Sequence, residues 1–267
     1  MRREEEAAAR VHGVRRTLQA GLVLYAVGLG ALWLGPDLPV LDLLFLPGLL
    51  FLLPALAVAQ LPLVEQEDEL ERIPAYLASA FGILVLGLLS LVLGIRLGGV
   101  EEMGLAPPDP LPLIVWSGGL TGVGLGLMAL FHRFESAYGR SGSPLLRHLI
   151  PRTGRERFAF LGLSLAAGTG EEVAYRAYAL VALGAAGFSP WTAALVASVA
   201  FGFLHAYQGR IGIVRTGLLG FLLAGSFLVS GSLWPAMVAH FLIDVVGGLY
   251  LGPRWFLEPV AAEENGS

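Results

Sequence analysis

The sequence predicts an all-α, polytopic membrane helix bundle of about eight transmembrane helices. Three observations predict it. Hydrophobic residues make up 55% of the chain and charged residues 14%, with a mean hydropathy of +0.71, a balance that places it in the membrane class and not among soluble enzymes. The apolar residues gather into runs of about twenty, the length that crosses a hydrocarbon core of about 30 Å. The arginines gather between those runs, and almost all of them fall on one side.

Taken in order, the first sixteen residues carry five arginines and three glutamates ahead of an apolar run longer than a signal peptide, so a signal anchor is expected there. The runs then fall at about 17–34, 39–64, 75–97, 111–131, 158–184, 190–208, 211–229 and 233–251, each read as a span. Pro47, Pro54 and Pro62 lie in the second run, which is expected to be kinked or divided because proline lacks the N–H that a helix interior needs. With the N-terminus in the cytoplasm, fourteen of the seventeen arginines lie inside, Arg96 alone lies outside, and Arg176 and Arg215 fall within spans. That asymmetry implies cytoplasmic N- and C-termini in the cell (inner) membrane. Residues 132–157 form the longest cytoplasmic loop, with a turn of interfacial helix expected at 144–150. Lipid headgroups are a candidate contact there, although a plain topology determinant is the preferred reading. The acidic stretch 65–71 reads as a solvated linker. The division expected is 1–157 as N-terminal helices and basic loop, 158–251 as the functional core, and 252–267 as a cytoplasmic tail.

No lysine and no cysteine is present. Disulfides and thiolate metal sites are therefore excluded, and any metal would need histidine and carboxylate ligands. The net charge of −4 sits largely in loops and tail, and no nucleic-acid partner is expected.

The informative stretch is Gly168-Thr169-Gly170-Glu171-Glu172-Val173-Ala174-Tyr175-Arg176. It sets three ionisable groups inside a predicted span, where each charge costs roughly 2.5–3.5 kcal/mol, so the group reads as functional by default. Glu172 and Arg176 stand four apart with the acid first, the favoured order for a helical pair, while Glu171 projects about 100° away. Glu172 and Arg176 are read as a structural ion pair that orients Glu171, leaving Glu171 for chemistry. Gly168 and Gly170 allow close helix approach or a local break. Two further pairs with i,i+4 spacing follow, Phe201 with His205 and His240 with Asp244. Each pair shares one helix face, so the polar faces of three neighbouring helices can converge on one cavity. Phe201 reads as packing. Ser198, Ser226, Ser230 and Ser232 lack a nucleophile elbow and no HExxH is present, which disfavours serine-protease and zincin chemistry.

The set EExxxR, FxxxH and HxxxD, in this order over residues 155–251, resembles the CPBP intramembrane proteases (the Abi family), relatives of the Ras-converting CAAX prenyl endopeptidase. The resemblance implies an intramembrane endopeptidase that hydrolyses peptide bonds of membrane-associated proteins or peptides with a glutamate-activated water. It assigns Glu171 and His205 to water activation, and His240 with the residue four later to the oxyanion hole. Here the sequence departs from the prenyl-protease pattern, which has asparagine where this chain has Asp244. Asp244 donates a hydrogen bond only when protonated; it could otherwise orient His240 or join Glu171, His205 and His240 around a metal. The family has been described both as metalloproteases and as glutamate proteases. The preferred reading needs no cofactor, with zinc on those four residues as the alternative. Prenyl specificity is not carried over. The rival readings are a non-proteolytic membrane scaffold or bacteriocin-immunity-type protein, and a small proton-coupled transporter. A closed His–Glu–His–Asp cluster favours hydrolysis, whereas acids strung along a path favour transport. The span boundaries place Glu171 and His240 near mid-depth but His205 toward the cytoplasmic end, a mismatch that tilt, a broken helix or shifted boundaries must resolve.

Overall fold

The computed structural model describes residues 2–35, 38–64, 71–138 and 143–257. The acidic stretch 65–70, Arg140 and the tail from 258 onward lie outside the described residues. Within them the protein is an all-α membrane helix bundle without strands. The helices are α1 (Arg2–Trp33), α2 (40–64), α3 (Arg72–Glu102), α4 (Pro110–Ala137), the short α5 (Pro144–His148), α6 (154–185), α7 (Pro190–Leu204), α8 (Gly209–Ser230) and α9 (234–256). Apart from α5 they coincide one for one with the eight predicted runs. Among the described residues five segments are long and apolar enough to cross a membrane, namely Val40–Pro62, Arg72–Glu102, Pro110–Ala137, Ala206–Ser230 and Trp234–Phe256. α9 runs on through Gly252–Phe256, so the first residues of the expected tail are helical.

Local chemistry fixes the ends. Proline at the first turn needs no N–H partner and suits a helix start; Pro110, Pro144, Pro190 and Pro235 all sit there. Ser143 Oγ and Ser189 Oγ accept from the backbone N–H of Leu146 and Thr192. Thr153 and Glu156 close a capping box at the start of α6, satisfying donors that a helix start otherwise leaves orphaned. Gly231, at φ 68°, ends α8 in the left-handed conformation, which glycine adopts without penalty. The proline-rich second run is one continuous helical segment. A π-helical stretch, Gly48–Leu52, lies between Pro47 and Pro54 and absorbs the interrupted bonding, as such bulges do.

Apolar side chains line both the core and the outer faces of the long helices, while Asp42, Glu171, Glu172 and Arg176 are buried inside the bundle. On α3, Phe81, Leu84, Leu88 and Val92 are exposed, as are Ile114, Val115 and Val123 on α4, the belt expected of helices in lipid. At the centre lies α6, packed against α3, α7, α8 and α9. Its alanines 174, 177, 179 and 182 meet alanines 193, 194, 197 and 200 of α7, small residues that let membrane helices approach closely. The N-terminal helices are bonded to the core. Tyr175 O–H donates to Leu49 O at 3.2 Å, and Tyr178 O–H donates to Asp42 Oδ1 at 3.2 Å, tying α2 to α6.

Candidate active site

The motif Gly168–Arg176 does not form a regular α-helix. α6 widens into two π-helical stretches, Ala167–Glu171 and Val173–Tyr178, a distortion that recurs at functional sites. The two glycines mark close approaches: a Cβ on Gly168 would meet Phe241 N of α9 at 2.9 Å, and one on Gly170 would meet Ile83 O of α3 at 2.7 Å. α9 and α3 therefore press on the turn that carries the acids.

From there Glu171 and Glu172 reach the two sides of one imidazole. Glu172 Oε1 lies 2.7 Å from His240 Nδ1, and Glu171 Oε2 lies 3.8 Å from His240 Nε2. Glu171 Oε2 is also 4.0 Å from His205 Nε2, and Asp244 Oδ2 is 3.7 Å from His240 Nε2. Glu171, His205, His240 and Asp244 thus stand in one closed group, with Glu171 between the two histidines.

Glu172 and Arg176 pair as the spacing predicts, Oε1 to Nη1 at 2.9 Å, both fully enclosed. The guanidinium lies over the Phe201 ring, 3.9 Å from its centroid, so Phe201 holds a cation against its face and does more than pack. The pair's main partner differs from the one expected. Its carboxylate accepts from His240 Nδ1–H, and so it orients His240; Asp244 is beyond hydrogen-bond reach of that ring.

His205 is the residue after α7, and its Nδ1 lies 3.0 Å from Phe201 O. A carbonyl only accepts, so Nδ1 carries the proton, and in the neutral ring Nε2 presents a lone pair toward Glu171. This resolves the mismatch of depth. The sixth run is not one helix to residue 208: α7 stops after 15 residues, about 22 Å at 1.5 Å per residue, and the 3-10 turn Ala206–Gln208 follows. The chain ends its helix at the level of the site.

The carboxylates are incompletely bonded. Glu171 Oε2 and Glu172 Oε2 are buried without a hydrogen-bond partner in the protein. Among the described residues no group of three or more His, Asp or Glu side chains is arranged to hold a metal ion. Glu171, His205, His240 and Asp244 neighbour one another at 3.7–4.0 Å, near the roughly 3.4 Å that separates ligands around a tetrahedral zinc at about 2.0–2.2 Å, and they are the residues that would hold such an ion.

Sequence reasoning passes over two polar groups. Asp42, fully buried in α2, pairs through Oδ2 with Arg96; an acid three residues into a helical apolar run is the signal that finds it. Gln208, Arg215 and Thr216 form a hydrogen-bonded group beside Tyr207, and only Arg215, a charge within a predicted span, announces it.

Fold and site together define a class: a multi-pass helical membrane protein with a buried acid–imidazole group assembled from α6, the end of α7 and α9. Residues 154–246, about a third of the chain, match the family model described as Type II CAAX prenyl endopeptidase Rce1-like. That segment is similar to the family so described, and it carries Glu171, Glu172, Arg176, His205, His240 and Asp244. No curated protein and no solved structure matches the chain.

Proposed function

We propose that the protein is an intramembrane endopeptidase that cleaves membrane-associated peptides or proteins with a water activated by Glu171. The observation that carries this reading is the position of Glu171 Oε2, 4.0 Å from His205 Nε2 and 3.8 Å from His240 Nε2 with no hydrogen bond of its own. Four ångströms is too long for a direct hydrogen bond and suits one water held between the two groups. Glu171 accepts one proton of that water and the His205 Nε2 lone pair accepts a hydrogen bond from the other, leaving the oxygen to attack a peptide carbonyl. The C–O bond forms as the carbonyl π pair moves to its oxygen; Glu171 then hands its proton to the departing amine as the C–N bond breaks. In its doubly protonated form His240, fixed through Nδ1 by Glu172, donates from Nε2 into the same space. The closed group supports hydrolysis over a proton path, because the acids cluster instead of forming a chain through the bundle. The reading places the protein in the cell membrane with both termini cytoplasmic, following the arginine asymmetry.

The test is turnover of a peptide library by the purified protein in detergent, with and without chelator. Wild type is expected to cleave and Glu171→Gln to fail, with equal rates in both conditions. Cleavage undiminished by Glu171→Gln would contradict the role of Glu171, and loss of rate in chelator would contradict the metal-free route.

A further inference from the structure

Tyr207 lies two residues beyond His205 in the turn Ala206–Gln208. It is half-buried, with its ring 5.8 Å from that of His205. Its hydroxyl can be oriented from its neighbours. Gln208 Oε1 takes a hydrogen bond from Arg215 Nη2 at 2.8 Å and from Thr216 Oγ1 at 3.2 Å. Arginine only donates, so that end of the amide is the oxygen and the other is the NH2 group. The NH2 donates to the Tyr207 hydroxyl oxygen at 3.2 Å. The phenol oxygen is thereby an acceptor already, and its own proton is left to donate elsewhere. The charges acting on this phenol are those of Asp244 and Glu171 and, behind the amide, Arg215. Arg215, Gln208 and Tyr207 are polarised in one sense, which strengthens the last donor in the series.

The rest of the site offers one such donor, His240 Nε2–H, and only when that ring is doubly protonated. Asp244 as a carboxylate only accepts, and its side chain is 35% exposed. His240 commits Nδ1 to Glu172 and turns Nε2 toward two carboxylates. We infer that Tyr207 is a further catalytic residue, its hydroxyl donating a hydrogen bond to the substrate carbonyl oxygen as that oxygen gains negative charge. The inference rests on the hydrolase reading above. No proton leaves the phenol, and every bond made or broken is one already described for water, peptide and Glu171. A neutral donor is the element that asparagine supplies in the prenyl-protease pattern and that Asp244 as a carboxylate lacks, and Tyr207, its oxygen already engaged by Gln208, supplies it from the neighbouring turn.

The experiment compares wild type with Tyr207→Phe using one cleavable peptide and its phosphinate analogue, whose tetrahedral anion imitates the charged intermediate. Loss of a single donor of this kind lowers kcat by about 10²–10³-fold with KM little changed, the mark of an interaction made only in the transition state. The phosphinate is expected to lose affinity for the variant while the parent peptide does not. The ratio of the two affinities is independent of the fraction of protein folded, so it stands even where the variant is less stable. A wild type that cleaves the peptide and binds the phosphinate, beside a Tyr207→Phe with the same kcat and the same affinity ratio, overturns the role of Tyr207 and leaves the hydrolase reading intact. A wild type that neither cleaves the peptide nor prefers the phosphinate overturns both.

Discussion

Asp42 and Glu171 are both acids carried inside apolar helical runs, and the chain treats them in opposite ways. Asp42 is fully buried with each oxygen engaged, Oδ1 by Tyr178 O–H at 3.2 Å and Oδ2 by Arg96. Glu171 is nearly as buried, yet its Oε2 faces two imidazoles at 3.8 and 4.0 Å and bonds to neither. Burying a polar group is tolerable when its hydrogen bonds are made and costly when they are not. A satisfied acid fastens one helix to another, here α2 to α6. An unsatisfied acid, held among groups that can share a proton, keeps its capacity for a reactant. On the proposed reading, the contrast is that between a structural charge and a chemical one within the same bundle.

That contrast can be broken in graded steps. The largest effect is expected at Glu171: the Gln variant should keep its fold and lose turnover by about 10²–10⁴-fold, the usual weight of a general base, read from peptide hydrolysis. Next is Arg176→Ala, which strands Glu172 in a fully enclosed site; it should cost about 3–5 kcal/mol and appear as lower membrane yield and melting temperature. Unchanged stability would mean that Glu172 and Arg176 do not depend on each other. Asp42→Ala should cost less, about 1–3 kcal/mol for a hydroxyl left without its acceptor, because Arg96 has a side chain 43% exposed and can turn to other partners. Asp244→Asn is expected to keep activity over the same or a wider pH range, since an amide donates without needing protonation; near-total loss at every pH would assign Asp244 an obligatory role as an acid. The smallest effect belongs to the capping box that starts α6, before the buried part of the helix. The backbone N–H groups of Thr153 and Arg152 hold the Glu156 carboxyl below its ordinary range. A depressed value contributes stability that is present above the ordinary carboxylate range and is lost as pH falls through the lowered one. Thr153→Ala should cost about 1 kcal/mol near neutral pH, and the melting-temperature gap between wild type and Glu156→Gln should narrow on acidification.

Much of this could be read before any coordinates. The apolar runs foretell where the helices lie because a membrane helix must be continuously apolar over a set length, and the i,i+4 spacings foretell the meeting of Glu171, His205 and His240. The ion pair of Glu172 with Arg176 was legible for the same local reason. What spacing does not carry is contact between distant segments. That Glu172 grips His240, and that α7 stops short so that His205 reaches the site, depend on π-helical turns and on helix packing. Asp42 was visible as a charge in an apolar run, but its partners Arg96 and Tyr178 are more than fifty residues away. Tyr207 carries no sequence signal at all; its role follows from the hydrogen bonds of Gln208.

The most direct measurement sets hydrolysis rate per folded molecule against thermal stability for Glu171→Gln and Asp42→Asn side by side. Glu171→Gln should melt with wild type and fail to turn over peptide, while Asp42→Asn should melt earlier and turn over peptide at the wild-type rate per folded molecule. A Glu171→Gln protein that loses its fold but cleaves normally when folded would contradict the account, for it would make Glu171 the structural charge.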